Sequence, residues 1–192
     1  MTGWRPLPLG SPLNGAPSWP TSAPVIGKLE LLPFNALLWE DFERLLWRVM
    51  HDVEGLRHAQ LYGERGQAQY GLDIVALAPD ETGVALQSKK YQTFGAAEIK
   101  AAVQKYRSTE RPYSVDRFII GVARTVKTTG AIEELAEQKS ALHPISLELW
   151  DAQRLAYLLR GRPDIVVEFF GMPTAEAFCL PFKLDVASLD LS

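Results

Sequence analysis

The chain has 192 residues, of which 47% are hydrophobic and 22% are charged, and this balance is ordinary for a globular protein. No apolar run approaches the length of a membrane span, and the amino terminus leads into prolines instead of a signal-peptide core. We therefore expect a cytoplasmic protein with no membrane partner. The net charge of −3 disfavours broad binding to a polyanion, which restricts any nucleic-acid site to a local basic patch. The single cysteine, Cys179, excludes an internal disulfide and a thiolate zinc cluster, and we interpret it as a buried small residue.

The first 34 residues hold seven of the thirteen prolines and show no hydrophobic periodicity. This composition predicts an amino-terminal arm over residues 1–34. The arm is either an extended surface segment or a partner-binding segment that uses Trp4 and Trp19. We expect a folded domain over residues 35–180 and a short carboxyl-terminal tail over residues 181–192.

A helical periodicity begins near Asn35, which is a suitable helix cap. The predicted apolar stripe of this helix consists of Trp39, Phe42, Leu46, Val49, Met50 and Val53. Glu43 falls on the same side as the stripe, and an acid on a buried face requires a partner. One alternative is a structural ion pair with an arginine such as Arg65, and the other is a functional site.

A short strand is predicted over residues 57–62, and it leads into a loop rich in glycine and glutamine over residues 63–69. The loop lacks the spacing of a P-loop and of a dinucleotide-binding glycine motif, which excludes nucleotide binding of those two types. Gln67 and Gln69 have two open interpretations: they contact nucleic acid, or they hydrogen-bond the turn itself.

Residues 70–91 have the pattern of a β-hairpin. Two runs rich in valine, isoleucine and leucine flank residues 79–83, which supply the proline, aspartate and glycine of a short turn. If Ala78 pairs with Val84 across this turn, the remaining pairs of the antiparallel ladder follow from it.

That pairing sets Val75 opposite Gln87 and Asp73 opposite Lys89. Because side chains alternate along a strand, Asp73, Gln87 and Lys89 are predicted to share one face. A carboxylate and an ammonium inside an apolar strand pair each require a partner or a metal. The two interpretations are a structural ion pair between Asp73 and Lys89 and an active site.

Residues 95–109 are predicted to form a helix with Ile99, Val103 and Tyr106 facing inward. Basic residues recur along another face of this helix and next to it, and they are Lys90, Lys100, Lys105, Arg107 and Arg111. A charged helix face is either simply solvated or, in this position after the hairpin, a set of phosphate contacts.

Helices and strands alternate in the second half of the chain. The nearly continuous apolar run over residues 116–124 predicts a strand covered on both faces. A helix over residues 129–142, a second buried strand over residues 144–150 and helices over residues 151–159 and 164–170 are predicted to follow. This alternation is typical of an α/β fold with a mixed or parallel sheet.

The hairpin residues resemble a known family. Gly-Leu-Asp at residues 71–73 and Gln-Ser-Lys-Lys-Tyr at residues 87–91 resemble the Mrr-like branch of the PD-(D/E)xK nucleases, in which glutamine replaces the usual second acid. The loop over residues 62–69 and the Glu-Phe-Phe-Gly at residues 168–171 are similar to parts of nuclease modules fused to anti-phage signalling proteins. The resemblance covers roughly residues 36–171 and implies a restriction endonuclease-like core, with a central mixed β-sheet flanked by helices.

The resemblance implies a magnesium-dependent endonuclease that hydrolyses phosphodiester bonds in DNA, with Mn²⁺ able to substitute for Mg²⁺. Asp73, Gln87 and Glu43 would bind the metal together with the carbonyl oxygen of Ser88, because Mg²⁺ prefers oxygen ligands. Lys89 would orient the attacking water, help to deprotonate it and offset the charge of the transition state. The expected nucleic-acid contacts are Gln67, Gln69, Lys90, Tyr91, Lys100 and Arg107.

Two other functions remain open from the sequence. One is a module of the same fold that binds nucleic acid or a partner without cutting, and the other is a nuclease that acts on RNA or branched DNA. Because one metal site cuts one strand, we expect a homodimer or a higher assembly for double-strand cleavage. The resemblance further implies a defence or restriction effector that is fused to a regulatory protein or associates with one.

Overall fold

The computed structural model of the protein describes residues 29–62, 72–109 and 114–179. These ranges contain five strands, which are β1 (Arg57–Leu61), β2 (Ile74–Leu77), β3 (Gly83–Lys89), β4 (Arg117–Val122) and β5 (Ser146–Trp150). They also contain six α-helices, which are α1 (Trp39–Arg48), α2 (Ala96–Arg107), α3 (Thr129–Leu142), α4 (Ala152–Leu159), α5 (Pro163–Phe170) and α6 (Met172–Phe178). None of these helices has the length and apolar content to cross a membrane.

The five strands form one mixed sheet in the order β1-β2-β3-β4-β5. The pairs β1–β2 and β2–β3 are antiparallel, whereas β3–β4 and β4–β5 are parallel. The parallel pairs require crossover connections, and α2 and α3 supply them. This architecture confirms the predicted α/β restriction endonuclease-like core.

Each face of the sheet is covered by its own hydrophobic core. Alternate residues of β3 divide between the two cores, because side chains along a strand point to opposite faces. Leu86 packs in the core that contains α1, and Ala85 packs in the core that contains α2. The approach of α1 is close: a Cβ added at Gly121 of β4 would lie 2.8 Å from Leu46 Cδ1. The strand β3 is therefore enclosed on both faces.

The hairpin turn differs from the predicted one. Ala78 N–H donates to the Thr82 carbonyl at 2.9 Å, so Ala78 pairs with Thr82 and not with Val84. The tighter loop is possible because Glu81 adopts a positive φ of 68°, which hydrophobic periodicity does not reveal. The Asp80 carboxylate fixes this turn by accepting hydrogen bonds from the backbone N–H and the hydroxyl of Thr82, at 3.1 and 2.7 Å.

The predicted hairpin register was consequently wrong by two residues. Val75 pairs with Ala85 and not with Gln87, and Ile74 pairs with Leu86. The Asp73 N–H also donates to the Leu86 carbonyl at 2.9 Å, so Asp73 is not set opposite Lys89. A shift of two preserves the alternation of faces, whereas a shift of one would invert it. The prediction that Gln87 and Lys89 share a face of β3 is therefore unaffected.

The start of α1 also differs from the prediction. The helix begins at Trp39 after Leu38, and Asn35 lies instead in a 3₁₀ turn at Phe34–Ala36. Phe34 is fully buried and fixes this turn against the core. Trp39, which was predicted in the apolar stripe, is 39% exposed. The deeper members of the stripe are buried as predicted: Phe42, Leu46, Val49 and Met50.

The two ends of the described chain meet beside α4. Leu29 N–H donates to the Ala177 carbonyl at 3.1 Å, and the Arg160 guanidinium donates to the carbonyls of Leu29 and Phe178. The last predicted helix ends at residue 170, whereas the structure adds a further helix, α6, with Pro173 in its first turn. Cys179 is buried as predicted, and burial raises the pKa of its thiol.

Candidate active site

The antiparallel ladder between β2 and β3 ends at Asp73. The Asp73 N–H donates to the Leu86 carbonyl at 2.9 Å, which is a backbone contact of the ladder. Ser88 lies two residues after Leu86 on β3, so its N–H points in the same direction as the Leu86 carbonyl. This N–H donates to the Asp73 carboxylate at 2.6 Å. The Asp73 side chain thus takes the place of the missing backbone acceptor and is held at the carboxyl end of β3.

A second acid reaches this position from α1. The Ser88 hydroxyl oxygen lies 3.0 Å from Glu43 Oε1 and 3.1 Å from Asp73 Oδ2. A hydroxyl has one proton to donate, so it satisfies only one of two ionised carboxylates at a time. The other contact requires a protonated carboxyl group or a nearby cation. Ser88 itself is buried, which leaves little water to separate the two acids.

The pKa of Glu43 reflects this arrangement. Burial of the carboxyl group raises its pKa, and the negative charge of Asp73 raises it further. Hydrogen bonds from the side chains of Ser88 and Trp39 oppose the increase, but they do not cancel it. Glu43 therefore holds its proton more tightly than a solvent-exposed glutamate does.

Gln87 contributes an oxygen from β3. The side chain is 2% exposed, and its Oε1 has no hydrogen-bond donor in the part of the chain that the structure describes. A buried amide oxygen without a donor is unfavourable, so such an atom calls for a ligand. Gln87 directly precedes Ser88, which hydrogen-bonds Asp73 and Glu43. Two carboxylates and one amide oxygen are hard donors that fit Mg²⁺ or Mn²⁺, and this chemistry agrees with the predicted ligands.

The donor set differs from a purely acidic metal site. No group of three His, Cys, Asp or Glu side chains that could hold a metal occurs within residues 29–62, 72–109 and 114–179. The amide of Gln87 would therefore have to complete the set. Ser88 was predicted to act through its carbonyl, but the structure shows that its N–H and hydroxyl also connect the two acids.

Lys89 lies at the end of β3, half-buried on the side of α2. Burial lowers the pKa of its ammonium group, the nearby Asp73 carboxylate opposes this effect, and the positive charge of Lys105 adds to it. The Lys89 Nζ lies 5.6 Å from the centre of the Tyr91 ring. Lys89 is therefore a candidate for proton transfer as well as for charge stabilisation.

An open cleft extends from Lys89 to α2. Its volume is about 600 Å³, and Lys89, Tyr91, Glu98 and Lys105 contribute to its lining. Tyr91 is 49% exposed and stacks on Phe94 with 6.4 Å between the ring centres. The cleft thus presents two lysines and an exposed aromatic ring beside the proposed catalytic strand.

The remaining predicted nucleic-acid contacts are distributed unevenly. Lys100 and Arg107 are exposed on α2, and Lys90 is half-buried after β3. Gln67 and Gln69 lie outside the described residues, as does Arg65, the alternative partner of Glu43. Within the described part of the chain, Glu43 is bonded to Ser88.

Two contributions were missed by sequence reasoning. Trp39 was interpreted as a core residue, but its side chain hydrogen-bonds Glu43. The spacing of four residues on one helix was the available signal. Lys105 was treated as one member of a basic helix face, whereas it lines the cleft next to Lys89. No local pattern distinguishes it from its neighbours on α2.

Comparison with known proteins identifies the family. The family model described as a restriction endonuclease, the Mrr catalytic domain, matches residues 34–159, which is more than half of the chain. The match spans α1, all five strands and α4, and it includes Glu43, Asp73, Gln87 and Lys89. No curated protein and no solved structure gives a significant match. The chain therefore belongs to the restriction endonuclease family of the Mrr catalytic domain, and it is a nuclease of that type.

Proposed function

We propose that this protein is a metal-dependent endonuclease that hydrolyses phosphodiester bonds in DNA and serves as a restriction or defence effector. The observation that carries the proposal is the buried Gln87 Oε1, which lacks a donor among the described residues and belongs to the residue next to Ser88, the contact of Asp73. The Ser88 hydroxyl shared by Glu43 and Asp73 supports it, because two adjacent acids of this kind favour a cation.

Asp73, Gln87 and Glu43 would hold Mg²⁺, with the Ser88 carbonyl as a further ligand and Mn²⁺ as a substitute for Mg²⁺. Such an ion, when bound, makes a coordinated water more acidic and polarises a phosphoryl oxygen. Because glutamine is neutral, the affinity for the cation depends mainly on the two carboxylates. The amide of Gln87 fixes position without adding charge.

The residues of the chain itself account for the remaining chemistry. Lys89 lies on the same strand as Gln87, and we expect it to orient the attacking water and to help deprotonate it. In its protonated form it stabilises the charge that develops on the phosphate. Ser88 keeps the two acids together through its N–H and hydroxyl.

DNA would approach along the cleft beside α2. Lys105 and Tyr91 line that cleft, and Lys100 and Arg107 extend the positive charge along the exposed surface of the same helix. Lys90, Gln67 and Gln69 complete the proposed nucleic-acid contacts. Phosphate contacts of this kind position the backbone without reading the base sequence.

The test is cleavage of plasmid, linear duplex DNA, single-stranded DNA and RNA, with Mg²⁺ and with EDTA. We expect nicked or linear plasmid with Mg²⁺ only, no cleavage by Asp73→Asn, and unchanged cleavage by Lys139→Ala, which removes a charge from the far end of α3. Binding without cleavage in Mg²⁺ and in Mn²⁺ would identify a binding module instead. Cleavage of RNA alone would reassign the substrate.

A further inference from the structure

A second cavity opens just after the carboxyl end of β4, and its lining differs from that of the α2 cleft. Arg124 lies there, two residues after the end of β4. Its neighbour Ala123 donates its N–H to the Lys89 carbonyl at 3.2 Å. The Arg124 Nη2 donates to Gln92 Oε1 at 3.3 Å, and Gln92 follows Lys89 by three residues. Arg124 is therefore next to the end of the strand that carries Gln87 and Lys89.

The guanidinium of Arg124 lacks a counter-charge. No carboxylate lies within 4.0 Å of it in the described ranges, and its buried Nε has no hydrogen-bond acceptor there. Asp151, whose neighbour Ala152 donates to the Arg124 carbonyl, uses its own oxygens to accept from the N–H groups of Val126 and Arg154. The side-chain partner that Arg124 does have, Gln92, is neutral.

Two other half-buried arginines, Arg117 and Arg162, are neutralised by carboxylates, and Arg160 donates to the backbone carbonyls of Leu29, Glu30 and Phe178. Arg117 contacts Glu148 at 2.6 Å and Glu54 at 3.0 Å, and Arg162 contacts Asp164 at 2.7 Å. A guanidinium that is partly buried and has only a neutral partner is costly unless an anion completes its hydrogen bonds. The difference singles out Arg124 as a site for an external anion.

The cavity beside Arg124 is open, and the described residues that line it include no acid. It has a volume of about 400 Å³, and its polar lining consists of Arg124, Asn35 and Thr125. None of these described residues lines the α2 cleft. The planar fork of a guanidinium matches the oxygens of a phosphate.

We propose that Arg124 is a phosphate-binding residue that holds the DNA backbone next to the scissile phosphate, in a subsite separate from the α2 cleft. The inference rests on the proposed function and extends it. Backbone held at Lys105 on one side and at Arg124 on the other passes across the end of β3, where Asp73, Gln87 and Lys89 lie.

The experiment measures binding of a fluorescent 30-base-pair duplex in EDTA over a series of salt concentrations. Arg124→Ala should weaken binding about tenfold, as expected for loss of one charge-assisted hydrogen bond. It should also reduce the slope of log K against log salt by about 0.9, the contribution of one phosphate contact. Lys139→Ala, which also removes one positive charge, is the matched control and should leave the slope unchanged.

A second pair of variants leaves Arg124 in place. Gln92→Glu supplies the missing carboxylate beside the guanidinium, so we expect the same loss of slope as in Arg124→Ala. Gln92→Ala should bind as the unchanged protein does. This pair keeps the inference testable even where Arg124→Ala fails to fold, and thermal unfolding of each variant identifies that case.

The outcomes separate this inference from the proposed function. Binding by the unchanged protein, with a reduced slope in Arg124→Ala and Gln92→Glu, supports the subsite whether or not cleavage is seen with Mg²⁺. Equal slopes in Gln92→Glu, Lys139→Ala and the unchanged protein would overturn it. Absence of DNA binding by the unchanged protein would overturn it as well.

Discussion

At the scale of single residues, Glu43 links the chemistry of the site to the stability of the fold. Its pKa is raised above the ordinary value of 4.5, so the folded protein holds this proton more tightly than the unfolded chain does. Stability is therefore lost as the pH rises from 4.5 through the raised pKa, and at neutral pH the ionised carboxylate destabilises the metal-free fold.

Glu43→Gln removes this penalty, so we expect a higher Tm for the metal-free variant at pH 7 and no gain at pH 4.5. Because the side chain is only half-buried, solvent screening limits the effect to about 1 kcal/mol or less. That limit corresponds to a Tm increase of up to roughly 4 °C in a domain of this size. Thermal unfolding in EDTA between pH 4.5 and 8 measures it. Glu137→Gln on the exposed surface of α3 is the control, and an equal Tm increase in both variants would contradict the assignment.

The prediction for Gln87 concerns the addition of a negative charge, whereas that for Glu43 concerns the removal of one. Gln87→Glu adds a third carboxylate at a buried position beside Asp73, so the metal-free protein should be less stable and the affinity for Mg²⁺ higher. A tenfold gain in affinity adds about 1.4 kcal/mol to the stabilisation by saturating ion. Thermal unfolding with and without Mg²⁺ tests this change. Methionine has no oxygen to offer the metal, so the Mg²⁺-dependent increase in Tm should be smaller in Gln87→Met. An equal increase in the unchanged protein, Gln87→Glu and Gln87→Met would show that Gln87 does not bind the metal.

Replacement of Lys89 should lower the cleavage rate without unfolding the protein. Because burial lowers the pKa of its ammonium group, a neutral side chain should be tolerated, and Lys89→Met should unfold within a few degrees of the unchanged protein. Its cleavage rate should fall by about 10²–10⁴, the range typical of a lost proton-transfer group. Plasmid nicking rates and circular dichroism measure the two effects. An unfolded Lys89→Met would indicate that the pair of Lys89 and Asp73 is structural.

At the scale of elements, α2 contributes to one hydrophobic core, and we propose that it also contacts DNA. Its inward residues, Ile99, Val103 and Tyr106, are buried as predicted and build one core. Its outer residues are available to DNA. The helix thus couples the position of the cleft to the packing of the sheet, because Ala102 and Lys105 lie on adjacent parts of one turn.

Charge reversal on α2 tests the proposed DNA surface. Lys100→Glu combined with Arg107→Glu should weaken binding to every DNA sequence alike and reduce the salt slope by up to about 1.8, which is two phosphate contacts. Lys139→Glu on α3 controls for net charge. Salt titrations of duplex binding supply the measurement, and an unchanged slope would mean that this face of α2 is only solvated.

The strands show which structural features a sequence pattern predicts. The apolar run before and after the turn located β2 and β3, and the run over residues 116–124 located β4. The register of the hairpin was wrong because the backbone conformation of Glu81 fixed the loop length. Turn geometry depends on single backbone angles, whereas strand location depends on a pattern repeated over many residues.

At the scale of the whole molecule, charge and site count bear on assembly. The chain carries a net charge of −3, and each copy carries one candidate site, so a single copy has limited means to hold a duplex and cut both strands. We expect double-strand cleavage to rise more steeply than linearly with protein concentration, because two copies must meet on the DNA.

Cleavage rates over a hundredfold range of concentration, together with sedimentation, test this expectation. Nicking by single copies should stay proportional to concentration and serves as the internal control. Proportional double-strand cleavage by a protein that sediments as a monomer would rule out the requirement for pairing.

The sequence by itself determined the α/β class, the location of the strands and the grouping of Gln87 and Lys89 on one face. These features follow from periods of two and 3.6 residues, which local backbone geometry imposes. Only the tertiary structure decided that Ser88 joins Glu43 to Asp73, and that Arg124 lies beside Gln92 with no carboxylate partner among the described residues. Such contacts join residues far apart in the chain, so they depend on how helices and strands pack, which no local period encodes.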